Sequence, residues 1–168
     1  MNADELRAMQ APLKDRYRNA PEAARITLRA RGALDDAHIA CKVETGRAIA
    51  EAGLHPLTGG SGAELCSGDM LLEALVACAG VTLKAVATSM GIALRAGEVE
   101  AEGDLDFRGT LGVDKQAPVG FSDIRLTFKL DADATAEQLE TLMKLTERYC
   151  VVYQTLKRPP ALSSGLAS

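Results

Sequence analysis

Residues 67–91, SGDMLLEALVACAGVTLKAVATSMG, constrain this chain more than any other segment. Apolar residues recur there at helical spacing, Ser67 or Asp69 can act as N-cap, and Gly91 is a natural stop, so the pattern predicts one long helix. Its only interior charges are Glu73 and Lys84. At about 100° per residue the two charges lie within about 20° of each other and roughly 120–140° from Cys78. Cys78 therefore falls on the apolar side, with Leu71, Leu75, Thr82 and Ala85 as helical neighbours. A helix of this composition needs other elements to cover that side.

The covering elements can be read on both sides of it. The chain opens with a helical pattern, Leu6, Met9, Leu13 and Tyr17, in which Asn2 and Glu5 have capping-box spacing and Pro12 is a point of kinking or division. The period then becomes two. ARITLRARG turns Ile26, Leu28 and Ala30 one way, ALDDA reads as a turn, and HIACKVET turns Ile39, Cys41 and Val43 inward, which together make a hairpin. The segment GRAIAEAGLHPLTGGSGAELCSG carries no clear period.

Beyond the long helix, GEVEAEGDLDF places Val99, Ala101, Leu105 and Phe107 inward, and FSDIRLTFKLD places Ile124, Leu126, Phe128 and Leu130 inward. A second long helix opens at a Thr135–Gln138 capping box, carries the stripe Leu139, Leu142, Met143 and Leu145, and ends near Tyr149–Cys150. VVYQTL reads as a last short strand and KRPPALSSGLAS as a frayed tail. Hairpins with segregated helices predict an α+β domain with a largely antiparallel sheet. The expected organisation is a single domain over 1–168, with a helical extension over 1–23, a core over 24–158 and a tail over 159–168.

Composition narrows the partners. Among 168 residues 47% are hydrophobic, 25% charged, and the net charge is −4, which argues for a soluble globular chain and against a broad nucleic-acid or anionic-membrane surface. The longest apolar run, Ala74 to Leu83, has 10 residues, half of a membrane span. The acidic start MNADELRAMQ lacks the basic-then-apolar pattern of a signal segment, so the expected location is the cytoplasm. Four cysteines, Cys41, Cys66, Cys78 and Cys150, have neither zinc-site nor disulfide-framework spacing, and no metal is expected. In a reducing compartment a disulfide among them would be transient and catalytic.

Several constellations resolve to ordinary roles. The outward carboxylates Glu98, Glu100, Glu102, Asp104 and Asp106 face Arg125 and Lys129 of the next strand, which predicts cross-strand pairing on a solvated face. LTGGSGAELCSG lacks the GK[ST] ending and the GxGxxG spacing of phosphate cradles and reads as a flexible loop. His38 is expected in solvent, and His55 in GLHPL is a candidate pocket residue. Cys41 reads as core. Cys66, just before the helix, is nearest its positive end, so position alone selects it as the reactive thiol. Cys78, about three turns in and among apolar neighbours, would be inert unless a cation from elsewhere reached it.

A resemblance changes that weighting. SGDMLLEALVACAGVTLKAVATSMGI, then GDLDFRG, GFSDIRLTFKL and TERYCVVYQTL, resemble the OsmC/Ohr family of organic hydroperoxide reductases. The matching features are the helix Asp69 to Cys78, the strand entry Gly120–Phe121, and a second helix ending in Cys150 with Leu156 six residues on, all within about residues 24–158. The resemblance implies an intertwined homodimer with two long central helices packed between sheets. It implies that Cys78 is peroxidatic, that Cys150 resolves it, and that an Arg from the N-terminal strand region supports the thiolate, with Arg31 first and Arg29 or Arg47 as alternates. The pocket would include Leu75, Thr82, Asp69 and Tyr153. The implied partners are an organic hydroperoxide and an external dithiol reductant of lipoyl or thioredoxin type, with no bound cofactor.

Three positions depart from the family pattern. Val151 stands where Pro commonly follows the second Cys, Tyr153 where His is common, and Gly68 where the best peroxidases have Glu. The alternative reading is therefore a small-molecule-binding or redox-sensing protein on the same fold.

Overall fold

The computed structural model describes residues 2–20, 32–34, 40–44 and 49–166. Their elements are α1 (Ala3–Asn19), β1 (Gly32–Leu34), β2 (Ala40–Glu44), β3 (Ile49–Gly53), a 3-10 turn (Pro56–Thr58), β4 (Leu65–Cys66), α2 (Ser67–Ser89), β5 (Ala93–Asp104), α3 (Phe107–Thr110), β6 (Asp123–Asp133), α4 (Ala136–Tyr149) and α5 (Val151–Lys157). Hairpin strands and separate helices make this the expected α+β architecture. The chain forms two compact units, one of Met1–Ala8, Ala74–Glu100 and Thr127–Ser168, the other of Met9–Glu73 and Ala101–Leu126.

In the first unit, the core is aliphatic. Leu83 and Ala87 of α2, Ile92 and Leu142 are buried, with Val86, Phe128, Leu130, Leu139 and Met143 packed around them. Each fully buried Leu contributes roughly 1.5–3 kcal/mol from removal of apolar surface from water. The α2 contribution is the stripe Leu75, Ala79, Leu83 and Ala87, one residue in four, while Glu73 and Lys84 are exposed as the helical wheel predicts. Gly91, with φ +69, turns the chain out of α2 through the left-handed region, and the Ile92 N–H closes back on the Ala87 carbonyl at 2.9 Å. Thr135 and Gln138 form both bonds of the expected capping box on α4.

The second unit holds a four-stranded sheet in the order β1-β2-β3-β4. β1 and β2 are antiparallel with Leu34 opposite Cys41, β2 and β3 antiparallel with Ala40 opposite Gly53, and β4 joins β3 in parallel with Cys66 opposite Gly53. Two expectations shift here. ALDDA is not wholly turn, because Ala33 and Leu34 belong to β1, and the segment without a clear period supplies β3 and β4. The strand expected over ARITLRARG lies outside the described residues except for Gly32, which opens β1, and His38 lies outside them too.

β5 and β6 form a two-stranded sheet. Its outer face carries the anticipated charge pairs. In the first unit Arg95 binds Asp131, and Lys129 reaches Glu98 and Glu100; in the second Arg125 binds Glu102, Asp104 and Asp123. Partner numbers fall on one strand as they rise on the other, which marks the ribbon as antiparallel. The alternation on β6 is complete, from half-buried Ile124, Leu126, Phe128 and Leu130 to exposed Asp123, Arg125, Thr127 and Lys129. β5 starts at Ala93 and ends at Asp104, so Phe107 belongs to α3, and Asp106 caps that helix by accepting from the Arg108 N–H.

Two helices differ from expectation. α1 runs through Pro12 as one helix, opened by reciprocal 2.9 Å bonds between Asn2 and Glu5. α2 is long and apolar enough to cross a membrane by length and composition. The short uninterrupted run understated this, because small and weakly polar residues between the aliphatic ones leave the average high.

Candidate active site

α4 and α5 meet at one residue. Cys150, with φ −72 and ψ 110, is extended; its N–H closes α4 on the Thr146 carbonyl at 2.9 Å and its carbonyl accepts the Gln154 N–H of α5 at 3.0 Å. VVYQTL is thus helix and not the expected strand. Valine pairs favour strands by local preference, and contacts with α4 override that preference. The Tyr153 hydroxyl donates to Glu147 Oε2 at 3.1 Å, and the Gln154 amide donates to the Glu147 carbonyl at 2.7 Å. The Lys157 ammonium lies 3.9 Å from Glu147 and 5.2 Å from the Tyr153 ring centre. The 3.6 period was present in Val152, Tyr153 and Leu156, all half-buried.

The helix start changes the chemistry of Cys78. First-turn N–H groups of a helix have no partner within it, and those of Val152 and Val151 favour the anionic form of the Cys78 sulfur. Burial by itself raises the Cys78 thiol. The Val152 N–H, the Cys150 thiol, the Val151 N–H and the Thr82 hydroxyl together outweigh it and hold the thiol below its ordinary value. Cys150 moves the opposite way: it is 1% exposed, burial pushes its thiol up, and the Cys78 sulfur with its negative charge adds to this, together outweighing the Tyr153 and Val152 N–H groups that pull it down. The two sulfurs are shifted in opposite directions, Cys78 towards the anion and Cys150 towards the thiol.

The resemblance also implied a supporting arginine. Arg31, Arg29 and Arg47 all lie outside the described residues. Of the anticipated pocket residues, Thr82 hydrogen-bonds Cys78, Leu75 is buried one turn before it, and Tyr153 is tied to Glu147. The backbone donors of Val151 and Val152 escaped the sequence reading, because a donor set made of main-chain N–H groups has no side-chain signature.

Asp69 lines a different space. A cleft of about 380 Å³ within the second unit is bounded by His55, Leu57, Cys66, Asp69, Phe107 and Phe121, among others, and its lining does not include Cys78 or Cys150. His55, singled out as a pocket candidate, stacks on Phe107 with ring centres 4.9 Å apart and planes 21° apart. Among the described residues no three His, Cys, Asp or Glu side chains gather as a metal site.

The sequence pattern of the family described as OsmC-like protein matches residues 59–164. An OsmC-like protein from Mycoplasma pneumoniae is 14% identical with a TM-score of 0.65, covering 80% of this chain and 89% of that one. An organic hydroperoxide resistance protein OsmC from Legionella pneumophila is 16% identical with a TM-score of 0.55, covering 80% and 92%. The organic hydroperoxide resistance protein OhrB of Bacillus subtilis is 17% identical with a TM-score of 0.52, covering 79% and 93%. At these identities the likeness is one of fold. No curated protein matches the sequence.

Proposed function

Since the chain belongs to the OsmC-like family, we propose that it is a thiol-dependent peroxidase that reduces organic hydroperoxides to alcohols. The observation that carries this reading is the convergence of the Val151 and Val152 N–H groups, the Cys150 thiol and the Thr82 hydroxyl on one half-buried sulfur. A lowered thiol pKa raises the thiolate fraction near neutrality, and the thiolate is the nucleophile.

The Cys78 thiolate attacks the distal oxygen of ROOH; the S–O bond forms as the O–O bond breaks, and the alkoxide takes a proton and leaves as alcohol. Cys78 is then a sulfenic acid. The Cys150 sulfur displaces the hydroxyl, forming the Cys78–Cys150 disulfide and releasing water. An external dithiol then reduces the disulfide by exchange and is itself oxidised to a disulfide.

The proposal extends to assembly as a homodimer. Val81 of α2 is 73% exposed, Val151 69% and Tyr149 60%. Lipid is a poor match for this surface, because α2 also exposes Glu73 and Lys84, and charges at membrane depth are costly. A second copy would cover the apolar residues. Light scattering should give twice the 17.7 kDa chain mass; a monomer at micromolar concentration removes the dimer.

Cumene hydroperoxide, supplied with a dithiol, tests the reaction. Turnover is expected for the native chain and absent for Cys78→Ser. Cys150→Ser should stop at a sulfenic acid trapped by dimedone. Turnover that survives Cys78→Ser overturns the assignment.

A further inference from the structure

The cleft at the start of α2 plays no part in the thiol chemistry described above, and its lining is selective. Its walls are apolar: Leu57, Leu72, Leu105 and the rings of Phe107 and Phe121. Gly103 lets the Phe121 ring lie directly against the β5 backbone, since a Cβ there would come within 2.5 Å of two ring carbons. A volume of about 380 Å³ is at the small end for ligand sites. Among the described residues the lining contributes two carboxylates, Asp69 and Asp104, and no Lys or Arg. Asp104 is already held through both oxygens by Arg125, at 2.5 and 2.9 Å. Asp69 is exposed and has no hydrogen-bond or ion-pair partner among the described residues. The His55 Nδ1 accepts the Leu57 N–H at 3.1 Å, so in the neutral ring the proton is on Nε2, which leaves a donor and no anion-binding charge.

An anionic ligand would meet unneutralised carboxylate here. A cation with an apolar body would meet the Asp69 carboxylate, which attracts positive charge, and the apolar lining to which Phe107 and Phe121 contribute. We propose that this cleft is a binding site for a small organic ammonium ion carrying an aromatic or branched aliphatic group, with Asp69 as its counter-ion. The site lies wholly within the second unit, and its occupancy is independent of Cys78 turnover. The half-buried Cys66 thiol on its wall reports on it.

The test is protection of Cys66. The native chain is treated with N-ethylmaleimide, and modification of Cys66 is followed by peptide mass with and without benzylammonium up to roughly 10 mM, a range that detects millimolar affinity. Benzylammonium should slow Cys66 modification at least about fivefold, phenylacetate and benzyl alcohol should not, and Asp69→Asn should abolish the protection. Saturation-transfer NMR of benzylammonium gives a second reading that does not depend on the thiol: its signal should be present with the native chain and lost with Asp69→Asn. Equal protection by phenylacetate, protection that survives Asp69→Asn, or no protection with no NMR signal each overturns the proposal.

Discussion

Two cysteines flank the first half of α2, Cys66 just before its start and Cys78 in its middle. By position the first should be the activated thiol and the second inert, since a helix favours negative charge at its N-terminus and little elsewhere. The structure surrounds them differently. Cys66 faces a cleft lined with aromatic rings and carboxylates. Cys78 receives two main-chain N–H groups, a thiol and a hydroxyl. Donors that favour the anion lower a thiol pKa wherever they converge, and the neighbouring helix start gives Cys78 what its position on its own helix does not.

The largest expected effect breaks the comparison at the level of turnover. Cys78→Ser should reduce consumption of cumene hydroperoxide to background, while Cys66→Ser should leave kcat/KM within about twofold. If Cys66→Ser is the variant that loses activity, the two roles are reversed.

The next effect concerns how Cys78 is activated. Its thiol is held below the ordinary value by donors that favour the anion, so its alkylation rate should level off at a lower pH than that of a model thiol, near 8.5. The rate falls as pH drops through the folded value, because protonation removes the nucleophile. The same shift stabilises the fold above the unfolded thiol value, and this contribution is lost as pH falls through the folded one. Val151→Pro sharpens the point. Proline is tolerated in the first helical position but has no N–H, so it removes one donor and leaves α5 in place. Alkylation of Cys78 near pH 7 should slow about fivefold, the equivalent of one hydrogen bond worth about 1 kcal/mol, with Cys66 unaffected. An unchanged rate means that the Val151 N–H does not act on the sulfur. Val151, a departure from the family pattern, is thus a gain of one donor relative to proline at that position.

The smallest effect lies one step away. Tyr153→Phe removes the 3.1 Å bond to Glu147 and loosens the attachment of α5 to α4, which should slow Cys78 alkylation by roughly twofold without altering its pH plateau by more than the Val151 variant does. A larger shift than that of Val151→Pro would make Tyr153, and not the backbone, the main control.

Much of this was legible before any coordinates. The two long helices, the Thr135 capping box, the alternation of β6 and the pairing of Arg125 and Lys129 with carboxylates on β5 all follow from periods of 3.6 and 2 and from short-range chemistry. The α+β class and the family also follow, because hairpin strands and the motif around Cys78 are local patterns. Less legible were β3, β4 and the membrane-like average of α2, where glycine and small residues blur the period. The His55–Phe107 stack joins residues from distant segments, so the sequence could suggest His55 for a pocket but not assemble the pocket.

The sequence by itself determined which residues are cysteines, which side of α2 is apolar, and that Cys78 sits where its own helix does little for it. Only the tertiary structure decided that VVYQTL is helix, and that decision governs the site. Valine prefers strand, but Glu147, in the last turn of α4, draws Tyr153 and Gln154 into a helical turn. The turn exposes two N–H groups, and folding brings them to a sulfur far away in the chain. A hydrogen bond depends on where atoms meet in space, and a main-chain donor is the same for every residue except proline, so its target is set by packing and not by residue identity.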